Sequence, residues 1–127
     1  MNESLAYLKY FPRLKRLSLV CAVNLTDEGL APLADLTELE YLRFGYVPIT
    51  DQAMKHLAKL PKLRELHLRV YTRSKDSLEQ GFRDAGLVYL KELKSLRLLT
   101  HRDTKLTAEA LDELRQALPE CEIKKGP

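Results

Sequence analysis

The chain has 127 residues, 45% of them hydrophobic and 31% charged, enough to fill one core of ordinary size and stay in solution, which excludes intrinsic disorder. Its 21 basic and 18 acidic side chains leave a formal charge of +3, too small an excess for a histone-like nucleic-acid tail. No apolar run approaches the ~18 residues of a membrane span. The start, "MNESLAYLKYF", has no basic stretch leading into an apolar one, so no signal peptide and no membrane association are expected, and a reducing, cytoplasmic setting is.

Taken in order, the chain opens on "ESLAYLKYF", where Leu5, Leu8 and Phe11 fall three apart on one helical face. Pro12 can stop that helix, and "LKRLSL" from Leu14 reads as a short strand. "LTDEGLAPLADL" over 25–36 follows, with Leu30, Leu33 and Leu36 again three apart. The strand "LEYLRF" from Leu39 leads to "ITDQAMKHLAKL" over 49–60, a helix with Met54, Leu57 and Leu60 on one face. Pro61 ends it, and a third strand, "LRELHL", starts at Leu63. The polar stretch "TRSKDSLEQGF" intervenes before the helix "FRDAGLVYLKEL" over 82–93, which carries Leu87, Leu90 and Leu93. The last pair is "LRLLTH" from Leu96 and "LTAEALDELRQAL" over 106–118, with Leu111 and Leu114; Pro119 and the short strand "CEI" close the series. Thr26, Thr50 and Thr107 sit where N-cap oxygens accept free amides, and Asp27, Asp51 and Asp84 where acid favours the positive helix end.

The frame L-x-x-L-x-(L/F/H) thus recurs from Leu14, Leu39, Leu63 and Leu96, at steps of 25, 24 and 33 residues, and in shortened form from Cys121. Only the third step is long, and it contains the polar stretch. Each unit is a strand, a loop and a helix; neither element can bury its apolar side alone, and stacked units share a continuous core. Recurring in register, this frame and the "L/I-T-D-x-G-L" segment resemble the leucine-rich repeat family, whose signature is L-x-x-L-x-L-x-x-N/C-x-L, and most closely its cysteine-containing and bacterial forms. The resemblance covers nearly the whole chain. It implies an α/β fold: a short right-handed solenoid with parallel strands on the concave face and helices on the convex face. One repeat domain over 1–127 is expected, with a half repeat at 1–13, repeats at 14–38, 39–62, 63–95 and 96–120, an inserted loop at 72–80, and a terminal short strand at 121–123. The family's Asn/Cys slot holds Ala22, Val47, Tyr71 and Thr104, with Cys21 one residue early.

Strand alternation sorts the candidate sites. His101-Arg102-Asp103 matches the head of a kinase catalytic loop, but Ala108 stands where that loop needs Asn, and the glycine-rich loop, strand lysine and "DFG" segment are missing. His101 takes the slot of Leu19, Phe44 and Leu68, so it should face the core as a neutral histidine. His67 faces outward, so the two cannot share a metal ion, and His56 belongs to a helix surface. Cys21 and Cys121, on the first and fifth strands, come out roughly 19 Å apart at ~4.8 Å per strand, beyond disulfide reach. No catalytic, cofactor-binding or metal-binding residue is assigned, and the chain reads as a non-enzyme.

The outward strand positions form columns: Arg16, Tyr41, Glu65 and Leu98; then Ser18, Arg43, His67 and Thr100; then Val20, Gly45, Arg69 and Arg102, with Tyr46 and Asp103 just beyond. With Lys15, Glu40, Arg64 and Arg97 added, this face carries seven basic and three acidic groups, more positive than the chain as a whole. Arginine and tyrosine are enriched in binding hot spots. The expected function is a protein–protein interaction scaffold that binds through Arg16, Tyr41, Arg43, Tyr46, His67, Arg69, Arg73, Leu98 and Arg102. Its expected partner is a protein with an acidic patch. The small basic excess and the interrupting Glu40 and Glu65 argue against nucleic acid. The competing expectation is a structural fragment of a longer repeat array or multidomain protein, with self-association through strand edges.

Overall fold

Five strands form one sheet in the computed structural model, which describes residues 2–21, 24–70, 83–102 and 104–126. β1 (Arg16–Val20), β2 (Tyr41–Val47), β3 (Glu65–Val70), β4 (Leu98–Arg102) and β5 (Glu122–Lys125) lie side by side in chain order, every neighbouring pair parallel. Parallel neighbours need a crossover connection, and helical segments between the strands supply it, so the fold is α/β. The register follows the repeated frame: Leu17, Leu42, Leu66, Leu99 and Ile123 stand in one row. Entry into the strands repeats as well. Leu14, Leu39, Leu96 and Cys121 each donate their amide to the carbonyl three residues back at 3.0 Å, and the carbonyls of Lys15, Glu40 and Arg64 each receive two amides of the next strand at 2.8 and 3.0 Å. The last strand is displaced from the expected 121–123. Cys121 still belongs to the turn through its bond to Leu118, and pairing with β4 runs from Glu122 to Lys125.

The helical segments differ in kind. Asn2–Tyr10 and Glu28–Asp35 are 3₁₀ helices; Asp51–Ala53 is 3₁₀ and passes into α1 (Met54–Leu57), followed by α2 (Asp84–Leu90) and α3 (Ala108–Ala117). Apolar residues three apart line up on a helix of three residues per turn and stay on one face of a short α-helix as well, and the same spacing is wound both ways here: as 3₁₀ in Glu28–Asp35 and as α in Met54–Leu57 and Asp84–Leu90. In α3 the buried leucines after Leu111 are Leu114 and Leu118, a step of three and then four, and the segment is α-helical.

The threonine–aspartate pairs do more than cap. Thr50 and Thr107 accept amides of their own helices, from Gln52 at 3.4 Å and Ala110 at 3.2 Å, and Thr26 accepts the Gly29 amide at 3.2 Å. The aspartates, expected to serve their own helix ends, reach into the next unit. Asp27 accepts both the amide and the hydroxyl of Thr50, the amide at 2.8 Å. Asp84 does the same with Thr107, at 2.9 and 2.8 Å. Between them, Asp51 accepts the Arg83 amide at 2.6 Å. These rungs lock consecutive helix starts together.

The core runs between sheet and helices, with Leu30, Leu33, Leu39, Leu42, Phe44, Leu57, Leu63, Leu66 and Leu99 all essentially inaccessible. β1 is the outer strand of the described sheet, so Leu17 and Leu19 are half-buried rather than enclosed. Leu5 is buried and Leu8 packs on the core, but Phe11 is 57% exposed and leaves the expected helical face. It lies beyond the 3₁₀ segment, in the turn where its carbonyl accepts the Leu14 amide. The inserted loop at 72–80 lies outside the described residues, as do the slot residues Ala22 and Tyr71. Val47 is buried in its slot. Among the described residues no helix is long and apolar enough to cross a membrane.

Candidate binding face

Strand alternation turns Arg16, Arg43, Glu65 and His67 away from the helices, and parallel pairing brings them into contact across the sheet. The Arg16 guanidinium lies over the Tyr41 ring at 4.1 Å from its centroid, within cation–π range. Tyr41 in turn meets His67, ring centroids 5.2 Å apart and tilted by 46°. His67 Nδ1 is 2.7 Å from Thr100 Oγ1, its partner on β4, and Nε2 is 3.2 Å from Glu65 Oε2, two residues back on β3. A neutral imidazole protonated at Nε2 donates to Glu65 and accepts the Thr100 hydroxyl; a doubly protonated one donates to both. Either charge state keeps both contacts, because the hydroxyl can rotate. The row from Arg16 to Thr100 is thus braced across four strands.

A second stack stands beside it. Tyr46 has φ 57°, a left-handed conformation, and the β2–β3 register shifts between Gly45 and Val47. This bulge returns Val47 to the core and leaves Tyr46 40% exposed, with the Arg69 guanidinium 4.1 Å from its ring centroid. Cys21, at the matching position after β1, is also left-handed (φ 59°) and donates its amide to the Gly45 carbonyl at 2.7 Å. A side chain at Gly45 would crowd Val20, whose Cγ2 lies 3.3 Å from where a Cβ would stand.

Tyr41, Arg43, His67, Arg69, Leu98 and Arg102 line one open depression in the sheet face. Of the other sequence-predicted residues, Arg16 joins it through Tyr41, Tyr46 joins through Arg69, and Arg73 lies outside the described residues. Four further lining residues escaped selection: the core residues Phe44 and Leu68, and the polar Thr100, only 7% exposed, and Lys124. Lys124 pairs with Thr100 across β4 and β5 and so continues the column Ser18, Arg43, His67, Thr100. Extending that column by one more 24-residue step finds it, but a strand ended at residue 123 does not reach that far.

Of the residues that first suggested chemistry, His67 and Arg102 line the depression, while His101 and the two cysteines lie elsewhere. His101 is 7% exposed on the core side, and burial, with help from Lys125 and Arg115, holds its pKa below the ordinary histidine value. Thr104 Oγ1 stands 3.4 Å from its Nδ1. Cys121 is buried, which pushes its thiol pKa up and leaves it a poor nucleophile, and Cys21 is exposed. Among the described residues no group of three or more His, Cys, Asp or Glu side chains could hold a metal ion. Comparison with known proteins leaves the face to its own chemistry, since no protein-family model and no curated protein matches the chain.

Proposed function

We propose that the chain is a non-catalytic interaction module of the cytoplasm: a short leucine-rich-repeat solenoid whose strand face is concave and binds a protein partner bearing an acidic patch. The recurring turn bonds, the doubly occupied carbonyls and the aspartate rungs support the repeat reading, since each recurs from unit to unit. One observation carries the binding reading. Arg43 and Arg102 point from the open face without an acidic partner among the described residues, beside aromatic rings already stacked against Arg16 and Arg69. Pre-ordered aromatic and guanidinium groups lose little conformational freedom on binding. Reversing Arg43 and Arg69 to Glu together is expected to abolish capture of the partner in a pull-down while leaving the circular dichroism spectrum unchanged. Undiminished capture by the folded double variant would refute the reading.

A second reading has its own observation. Tyr7, Tyr10, Phe11 and Val20 are exposed in the stretch of chain that leads into and includes β1, whose Leu17 and Leu19 are only half-covered. An exposed strand edge flanked by apolar side chains is a template for pairing, so another repeat-like surface is expected to stack there. Sedimentation over a concentration series tests it: a constant monomer mass up to the highest concentration counts against self-stacking.

A further inference from the structure

The open depression allows the partner's chemistry to be specified; this step rests on the interaction reading above. We propose that the depression is a carboxylate seat: an acidic side chain of an extended partner peptide lies over His67 and Thr100, between Arg43, Arg102 and Lys124, in competition with the protein's own Glu65.

Charge comes first. Arg43 and Arg102 have no acidic partner among the described residues, and the Lys124–Glu122 pair is long, at 3.4 Å, and more than half exposed on both sides. Arg43 on β2 and Arg102 on β4 are two strands and two residues of register apart, so at ~4.8 Å per strand and ~3.3 Å per residue they stand roughly 12 Å apart at the backbone, within the span that two long side chains can close on one anion. Guanidinium forks bind carboxylates through paired, charge-assisted hydrogen bonds. The floor is polar and fixed, since the nearly buried Thr100 hydroxyl holds His67 at 2.7 Å and Tyr41 braces the ring from the other side.

Glu65 shows what the seat takes. Its carboxylate already lies 3.2 Å from His67 Nε2, yet its side chain is 45% exposed and free to swing aside. It acts as an internal counter-charge that a stronger anion displaces, which makes it a specificity-determining residue. The same feature selects against polyanions. Glu65 and Glu122 share one outward column, flanking Leu98, so a continuous phosphate backbone meets repulsion on both sides of the depression. Leu98, which also lines it, offers an apolar patch suited to a peptide in which acidic and aliphatic residues alternate.

The test uses the full chain and fluorescence anisotropy, with a short labelled peptide of alternating Glu and Leu, its Gln–Leu counterpart, and a single-stranded oligonucleotide as probes. The Glu peptide is expected to bind, the Gln peptide and the oligonucleotide to bind at least about tenfold more weakly, and Arg43→Ala or Arg102→Ala to cost about tenfold each, as for loss of a charge-assisted hydrogen bond. Glu65→Gln is expected to strengthen binding by about threefold, an outcome that a merely structural role for Glu65 does not produce. Thr100→Val is expected to weaken binding and Thr100→Ser to preserve it. Absence of binding, equal binding of the Gln peptide, preference for the oligonucleotide, or indifference to Arg43→Ala and Glu65→Gln would overturn the seat. Should the pull-down still depend on Arg43 and Arg69 in that case, the seat falls and the interaction module stands; should it not, the module falls too.

Discussion

Arg83 occupies the place that Thr50 and Thr107 hold in the neighbouring units, and the rung there is incomplete. Its amide reaches Asp51, but there is no hydroxyl to donate a second bond, and its Nε is buried without a hydrogen-bond partner. Burial raises the Asp51 pKa above its ordinary value, against the lowering effect of the Arg83 and Gly86 amides. Arg83→Thr supplies the missing hydroxyl and removes a buried donor, so it is expected to stabilise the fold by about 1 kcal/mol. Thr107→Val, which deletes the equivalent bond, is expected to cost about 1 kcal/mol. Urea titrations of both variants check the pair, and a destabilised Arg83→Thr would show that the arginine stem is needed for packing.

His101 gives a pH dependence with a definite sign. Its pKa in the fold lies below the ordinary 6.5, first because it is buried and then because Lys125 and Arg115 are near. Above 6.5 the folded and unfolded chains are both neutral there. As pH falls through 6.5 the unfolded chain takes up the proton first, so stability drops until the folded pKa is passed. His56, lowered by burial and by Lys55, acts in the same direction. His101→Leu, which restores the residue type of Leu19 and Leu68 in that slot, is expected to flatten much of the fall in urea midpoint between pH 7 and 5. An unchanged slope would assign the whole effect to His56 or other groups.

The strands are graded by their position in the sheet. Leu66 on β3 is inaccessible, with a strand on either side, so Leu66→Ala is expected to cost roughly 2–5 kcal/mol. Leu17 holds the same row on β1 but is only half-buried, so Leu17→Ala is expected to cost less than half as much. Equal losses in thermal or urea unfolding would mean that β1 is covered in solution.

The elements also show what could be read in advance. The L-x-x-L frame marked the strands and the core row, because an apolar side chain every second residue can face only one way; the parallel order, which the sheet has, came from the repeat resemblance and not from the alternation. The three-residue spacing announced helices but not their tighter 3₁₀ winding, since the same residues suit either until a step of four appears, as in α3. Thr50 and Asp51 were legible as a helix start, while the aspartate's real partner, a full unit further on, depends on how the units stack. The Tyr46 bulge has only Gly45 to hint at it. The candidate face was half legible: its arginines and aromatics follow from alternation, but the Glu65–His67–Thr100 contact depends on strand register.

Across the whole molecule, the carbonyl column and the aspartate rungs join each unit only to the next, with sequence separations near one repeat. Under the proposed repeat reading, stability sums unit and nearest-neighbour contributions. Hydrogen exchange is therefore expected to be slowest in β3 and fastest in β1, with protection declining outward; uniform protection in all five strands would indicate a single all-or-none unit.

The same feature makes chain length adjustable. Because no described rung reaches past its neighbour, residues 39–62 carry on one face what the unit before requires and on the other what the unit after requires. Duplicating that segment in tandem should insert a sixth strand between β2 and β3, with Asp51 of the first copy gripping Thr50 of the second, a complete rung where the native one is half made. The lengthened protein is expected to fold, to unfold at higher urea and to widen the open face by one strand.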